Sequence, residues 1–198
     1  MRYLRKSAQS KIISNQWQYS NQSDRTKIRQ ELLNEQMGFC AYSERYIKST
    51  DAVDVEHFDA RLKSTENDNY WNWYTVVHWI NQHKPRKIEP FEPILKPYSA
   101  DLNQRIKYEN GQFIAVDPND KEAENLIKYL GWNRPELYED RRKHIERIRF
   151  LQQALYKDNQ DQFFDYLVND PDNLSFFSAL SVELELPDSL IERINKSS

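Results

Sequence analysis

The sequence predicts an α+β chain, mostly helical, with a small β component. Glycine is scarce, at 3 residues in 198, while Glu, Lys, Gln and Leu abound in segments whose apolar residues recur at three- and four-residue steps. Two short stretches break that pattern. Residues 51–58 are β-branched and extended, and residues 105–116 alternate around Asn110-Gly111, the signal of a two-residue hairpin. A chain of this length suits one hydrophobic core with appendages.

Taken in order, residues 1–24 read as a polar arm with Trp17 and Tyr19 as docking points. Ser23-Asp24 opens a helix to about Met37, with Ile28, Leu32, Leu33 and Gln36 on one side and Gly38 as its stop. Phe39 to Glu44 is expected to form the first strand of a hairpin whose second strand carries Glu56-His57. A loop of turn formers, 59–69, leads into YWNWYTVVHWINQHK, where Trp73, Val76 or Val77, and Ile80 suggest a helix. Four prolines within 85–98 mark extended surface chain. Asn119 and Glu122 resemble a capping box for a helix through Leu130, Gly131 ends it, and Pro135 starts a long helix to about Asp158. Shorter helices near 160–168 and 174–184 and a last turn at 188–194 complete the chain. The division expected is an arm (1–24), a core (25–98), and a hairpin plus helical region (99–198) packed on it.

Composition narrows the function. The net charge is −3 with a pI near 5.9. Phosphate neutralisation supplies most nucleic-acid affinity, so this balance weighs against a stand-alone nucleic-acid binder but not against a local basic surface or a partner that supplies the grip. Mean hydropathy is −0.93, no apolar run approaches the roughly 20 residues of a membrane span, and the basic N-terminus lacks the apolar core of a secretory signal. The single cysteine, Cys40, excludes an internal disulfide. A cytoplasmic protein without membrane contact is expected.

Three of the four histidines lie between Asp54 and Lys84. Hydrolysing a phosphodiester needs a water deprotonated near neutral pH, which suits histidine, and a cation at the leaving oxygen, often a hard ion with oxygen ligands. His57, Glu56, Asn72 and Asn81 are of the right types. Glu56 and His57 are adjacent, so on a flat strand they face opposite ways. They serve one site only if the strand end twists or the ion lies to one side. The basic run Arg141-Arg142-Lys143, with Arg147 and Arg149, reads as a solvated face or as a phosphate track.

These residues resemble the HNH (ββα-metal) endonuclease family, in particular its anti-phage Septu nuclease-subunit branch. The motifs that carry the likeness are Cys40-Ala41-Tyr42-Ser43-Glu44, Glu56-His57-Phe58, Tyr70-Trp71-Asn72 and the segment from Val77 to Lys84. A tail through Leu130-Gly131-Trp132-Asn133 to Arg141 adds to it. The resemblance covers roughly residues 25–150. It implies a ββα core and His57 as general base, with Asn72 orienting its ring. It also implies Mg²⁺ or Mn²⁺ on Glu56 and Asn81, and Arg61, Lys63 and Lys84 on phosphate. The family's paired Cys-x-x-Cys zinc site departs here: Ser43, Val77 and Ile80 stand where cysteines are usual, so structural Zn²⁺ is expected to be absent, replaced by apolar packing. The implied activity is a defence-system endonuclease gated by an ATPase partner. The alternatives are an inactive docking subunit of such a complex and a stand-alone restriction-type nuclease.

Overall fold

The computed structural model describes residues 3–187 and Leu190 and has an α+β architecture with two separate antiparallel hairpin sheets. After helices α1 (Lys11–Ser14) and α2 (Gln22–Glu35), strand β1 (Val53–His57) pairs with β2 (Trp73–Val77), and α3 (His78–His83) follows β2 without a loop. Helix α4 (Leu102–Arg105) leads to the hairpin β3 (Ile106–Glu109) and β4 (Gln112–Ala115). Four helices follow: α5 (Lys121–Leu130), α6 (Pro135–Leu155), α7 (Gln160–Asn169) and α8 (Phe177–Glu183). The turn expected over 188–194 lies, apart from Leu190, outside the described residues.

The pairing of β1 corrects the sequence reading. Its partner is residues 73–77, in the register Val53↔Val77 to His57↔Trp73, and not residues 39–44. Within the apolar run α-helix covers only His78–His83, after a single 3-10 turn at Tyr70–Asn72. The cause is burial: Trp73, Tyr74, Thr75 and Val76 are all nearly inaccessible, so both faces of β2 are covered and no alternation shows. Residues 39–46 instead form a tight knuckle closed by a single bridge between Phe39 and Tyr46. The outer edge of β2 is covered by a side chain. The Thr75 amide donates to Gln36 Oε1 at 2.9 Å, and Gln36 Nε2 donates back to the Thr75 carbonyl at 2.8 Å. Buried backbone groups need such partners, which explains a fully buried glutamine at the end of α2.

The β1–β2 sheet lies between two apolar clusters. Residues directly opposite in an antiparallel pair share a face. Glu56, Tyr74 and Val76 therefore face one way, where Tyr74 and Val76 join Cys40, Tyr42, Ile80, Leu126 and Tyr129. His57, Trp73 and Val55 face the other, where Trp73 packs with Ile12, Ile28, Leu32 and Tyr70 and Val55 lies against them. Val77 and Ile80 pack in or against the cluster that holds Cys40 and Tyr42. A third cluster joins Tyr3 and Phe39 to α6, α7 and α8.

Several local signals hold. Asn110 and Gly111 both take positive φ, as a two-residue hairpin turn demands. The side-chain cap of α5 is Asp120, one residue beyond the expected Asn119, and accepts from the Ala123 amide at 3.0 Å. Gly131 ends α5 at φ 66°, and a Cβ there would lie 2.3 Å from Arg134 Nε. Arg134 in turn donates to the His83 carbonyl at the end of α3. Gly131→Ala is thus expected to cost about 1–2 kcal/mol in left-handed strain alone. A fall in Tm of roughly 2–8 °C in a thermal melt would register it, and an unchanged melt would count against the arrangement.

Candidate active site

The end of β1, the loop after it and α3 surround a cleft of about 280 Å³. Its lining includes Glu56, His57, Lys63, Asn81, Lys84 and Arg86. An adjoining concavity of about 400 Å³ shares Val55, Lys63 and Asn81 with it and adds Asp54, Tyr19, Arg25 and Arg29. Arg25, Arg29, Lys63 and Arg86 are exposed. The two hollows adjoin at these shared residues, and together they make a groove whose exposed charged side chains include four cations, on a chain whose overall charge is negative.

His57 is buried, 5% accessible, and packs edge-to-face with the Tyr19 ring, the two ring centres 4.9 Å apart. Its Nε2 lies 3.0 Å from Asp68 Oδ1, but off the line of a well-made hydrogen bond. Asp68 is itself held by the Trp73 indole N–H at 2.5 Å and the Ser64 amide at 2.8 Å. Burial lowers the imidazole pKa below its usual value, Lys63 adds to the fall, and Asp68 opposes it. The ring is therefore neutral near pH 7. The carboxylate at Nε2 favours the proton on that nitrogen, which leaves the lone pair on Nδ1.

Asp68, absent from the sequence expectation, thus stands where Asn72 was expected. Asn72 is committed elsewhere: its Oδ1 accepts from the Asp59 amide at 2.8 Å and its Nδ2 donates to the Asp59 carbonyl at 2.9 Å. It clamps the loop after β1 and does not orient the ring.

Glu56 and Lys84 also take other roles than expected. Glu56 Oε1 lies 3.0 Å from Lys84 Nζ, and Oε2 accepts from the Tyr42 hydroxyl at 2.5 Å. Lys84 Nζ donates further to the Tyr129 hydroxyl at 2.5 Å and the Phe58 carbonyl at 3.2 Å. Both side chains are about 5% exposed, so Lys84 is an internal strut and not a free phosphate contact. Burial pushes the Glu56 carboxyl up to about 7, against the downward pull of Lys84 and Tyr42. Arg61 is likewise engaged, bidentate on Asp59 and 2.7 Å from Glu92. Of the three cations expected on phosphate, Arg61 is exposed but paired outside the groove, Lys84 is buried, and Lys63 is exposed within the groove lining.

The expected ligands of a divalent ion do not fit one. Both Glu56 oxygens are taken, and an ammonium sits against the carboxylate where a second cation would be repelled. Asn81 Nδ2 donates to Asp54 Oδ2 at 2.7 Å, and His78 Nδ1 lies 2.7 Å from the same oxygen. Among the described residues, no three His, Cys, Asp or Glu side chains gather as a metal-ligand set.

Three of the five cations of the basic run on α6 are engaged within the protein, while Lys143 and Arg147 are exposed. Arg141 is buried and donates to the Trp132 and Gly111 carbonyls, Arg142 pairs with Glu139 and Glu146, and Arg149 pairs with Glu183. No helix among the described residues is long and apolar enough to cross a membrane. No protein-family model, curated protein or solved structure matches this chain.

Proposed function

We propose that this protein is a nucleic-acid-cleaving hydrolase of the HNH type, with His57 as its general base. One observation carries the reading. A strand–strand–helix unit brings a buried neutral imidazole to the floor of a groove lined by Lys63, Arg86, Arg25 and Arg29. The exposed cations hold the phosphate backbone, the His57 ring accepts the proton of an attacking water at Nδ1, and as the new P–O bond forms the one to the leaving oxygen breaks, that oxygen taking its proton from solvent. Asp68 keeps the ring in that tautomer and stabilises the charge it gains. The defence setting and the ATPase partner are part of the proposal through the sequence resemblance, and an acidic chain with one basic groove suits a protein that borrows affinity from a partner.

A second reading has its own support. Glu56 and Asn81 are both held by protein partners, which favours a non-cleaving subunit that docks nucleic acid for a complex. Cleavage of labelled DNA and RNA by the purified chain, with and without added Mg²⁺ or Mn²⁺, separates the two. Under the first reading, His57→Ala lowers the cleavage rate by about 10²–10⁴-fold and leaves binding intact. Binding without any cleavage by the wild-type chain supports the second.

A further inference from the structure

Tyr19 also lines a larger concavity of about 690 Å³, which meets the proposed mechanism only through Asp68 in its lining. Its character is the reverse of the groove's. Its lining includes the aromatic residues Trp17, Tyr19 and Trp71 and the amide residues Gln16 and Gln18. No lysine or arginine lines it, whereas Glu66 and Asp68 do. Its size lies within the range of roughly 300–1,000 Å³ usual for small-molecule sites. Flat apolar walls with amide donors and acceptors suit a heterocyclic base, and the two carboxylates exclude a phosphate.

The pocket and the groove are joined. Tyr19 lines both, its ring packs edge-to-face with His57, and the Arg25 guanidinium lies 5.2 Å above the same ring while donating to the Tyr19 carbonyl. A strand whose phosphates follow Arg25 and Lys63 therefore passes the mouth of an aromatic pocket beside the candidate base. Paired bases are stacked inside a duplex and cannot enter such a pocket, whereas exposed bases gain from stacking on side-chain rings. Trp71 is 36% exposed, yet it is set by the rings of Tyr70 and Tyr98 at 5.4 and 5.3 Å, so a preformed platform meets solvent.

We infer that this pocket receives the base of an unpaired nucleotide, so that the strand engaged across the cleft is single-stranded. The inference rests on the reading of the groove as a phosphate track. It is tested on the full chain by fluorescence anisotropy with labelled oligonucleotides of roughly 12 nucleotides, within the span such sites cover. Single-stranded DNA, single-stranded RNA and the DNA duplex of the same sequence are compared. The expected result is tighter binding of single strands than of duplex. Trp71→Ala weakens single-strand binding by roughly 5- to 100-fold, Trp71→Phe restores most of it, and duplex binding is unmoved. Comparable loss on DNA and RNA shows that the pocket reads the base face, and loss on one alone assigns the sugar.

Trp17 also packs against the apolar cluster, so Trp17→Ala counts only if its thermal melt matches the wild type. Duplex bound as tightly as single strands, with neither affected by Trp71→Ala, overturns the pocket and leaves the groove standing. Single-strand binding through Trp71 with no cleavage overturns the nuclease reading and leaves the pocket. Binding of no nucleic acid overturns both.

Discussion

Glu56→Gln is expected to destabilise the protein by about 3–5 kcal/mol, the cost of removing one partner from a buried ion pair. The Lys84 ammonium would then sit, about 5% exposed, against an amide instead of a carboxylate. Lys84→Met is not the mirror image of that change. Without the ammonium, Glu56 can take a proton, because burial already holds its carboxyl near 7 with Lys84 in place and Lys84 only pulls that value down. A carboxyl whose folded pKa is raised above the unfolded value of 4.5 binds its proton more tightly in the folded state. Its contribution is present at low pH and lost as pH rises through the folded pKa. Urea unfolding at about pH 5 and about pH 8 should therefore show Lys84→Met losing clearly more stability at the higher pH, where Glu56 is ionised and the pair exists. Part of the Lys84→Met loss is independent of pH, because the Phe58 carbonyl and the Tyr129 hydroxyl also lose a donor. The difference between the two pH values is thus the quantity that reports the pair. If it is nil, the pairing drawn between β1 and the residue that ends α3 is wrong. The consequence reaches the site, since this strut ties β1, α3 and α5 together and Glu56 lies in the lining of the cleft next to His57.

What the sequence displayed and what it hid divide along the range of the interactions. The turn at Asn110-Gly111, the helix stop at Gly131 and the start at Pro135 follow from backbone preferences of one or two residues, and such signals are visible locally. Strand β2 was hidden because Trp-Tyr-Thr-Val-Val is apolar on both faces, and a short run of that kind fits a buried strand and a helix equally by spacing. Its β-branched and aromatic content was the better guide, and it points to strand. His57, Glu56, Asn81, Lys63 and Lys84 were found as lining residues of one cleft, but their roles depend on partners far along the chain. Lys84 reaches Glu56 across 28 positions and Asn72 turns back to Asp59 across 13, and nothing in the local pattern encodes either. Asp68 carries no signal of its own in a loop of turn formers. Only the fold brings it to His57.

The acid limb of cleavage is expected to respond in opposite directions to two neighbours of His57. The imidazole must be neutral to accept a proton, so the rate falls as pH drops through its pKa. Burial sets that pKa below the usual 6.5, and the limb of kcat/KM should lie lower than for an ordinary histidine. Lys63 lowers it further by repelling the imidazolium, whereas Asp68 raises it by attraction. Lys63→Gln should therefore move the limb to higher pH, and Asp68→Asn should move it lower. The plateau rates distinguish the two roles. Lys63 is exposed, and its loss weakens grip on the backbone, so KM rises with little change in kcat. Asp68 holds the Nε2 side of the ring, and misplacing a base by ~1 Å can cost about 100-fold, so kcat falls in Asp68→Asn even above its limb. An asparagine keeps an acceptor for the Trp73 indole but loses the one for the Ser64 amide, so the melt of the variant is compared with the wild type alongside its pH profile. Limbs that stay in place in both variants, with His57→Ala inactive, would mean that another group sets the pH dependence. Limbs that move the same way would mean that neither side chain faces the imidazole as drawn, and the assignment of His57 as the titrating base would fall with them.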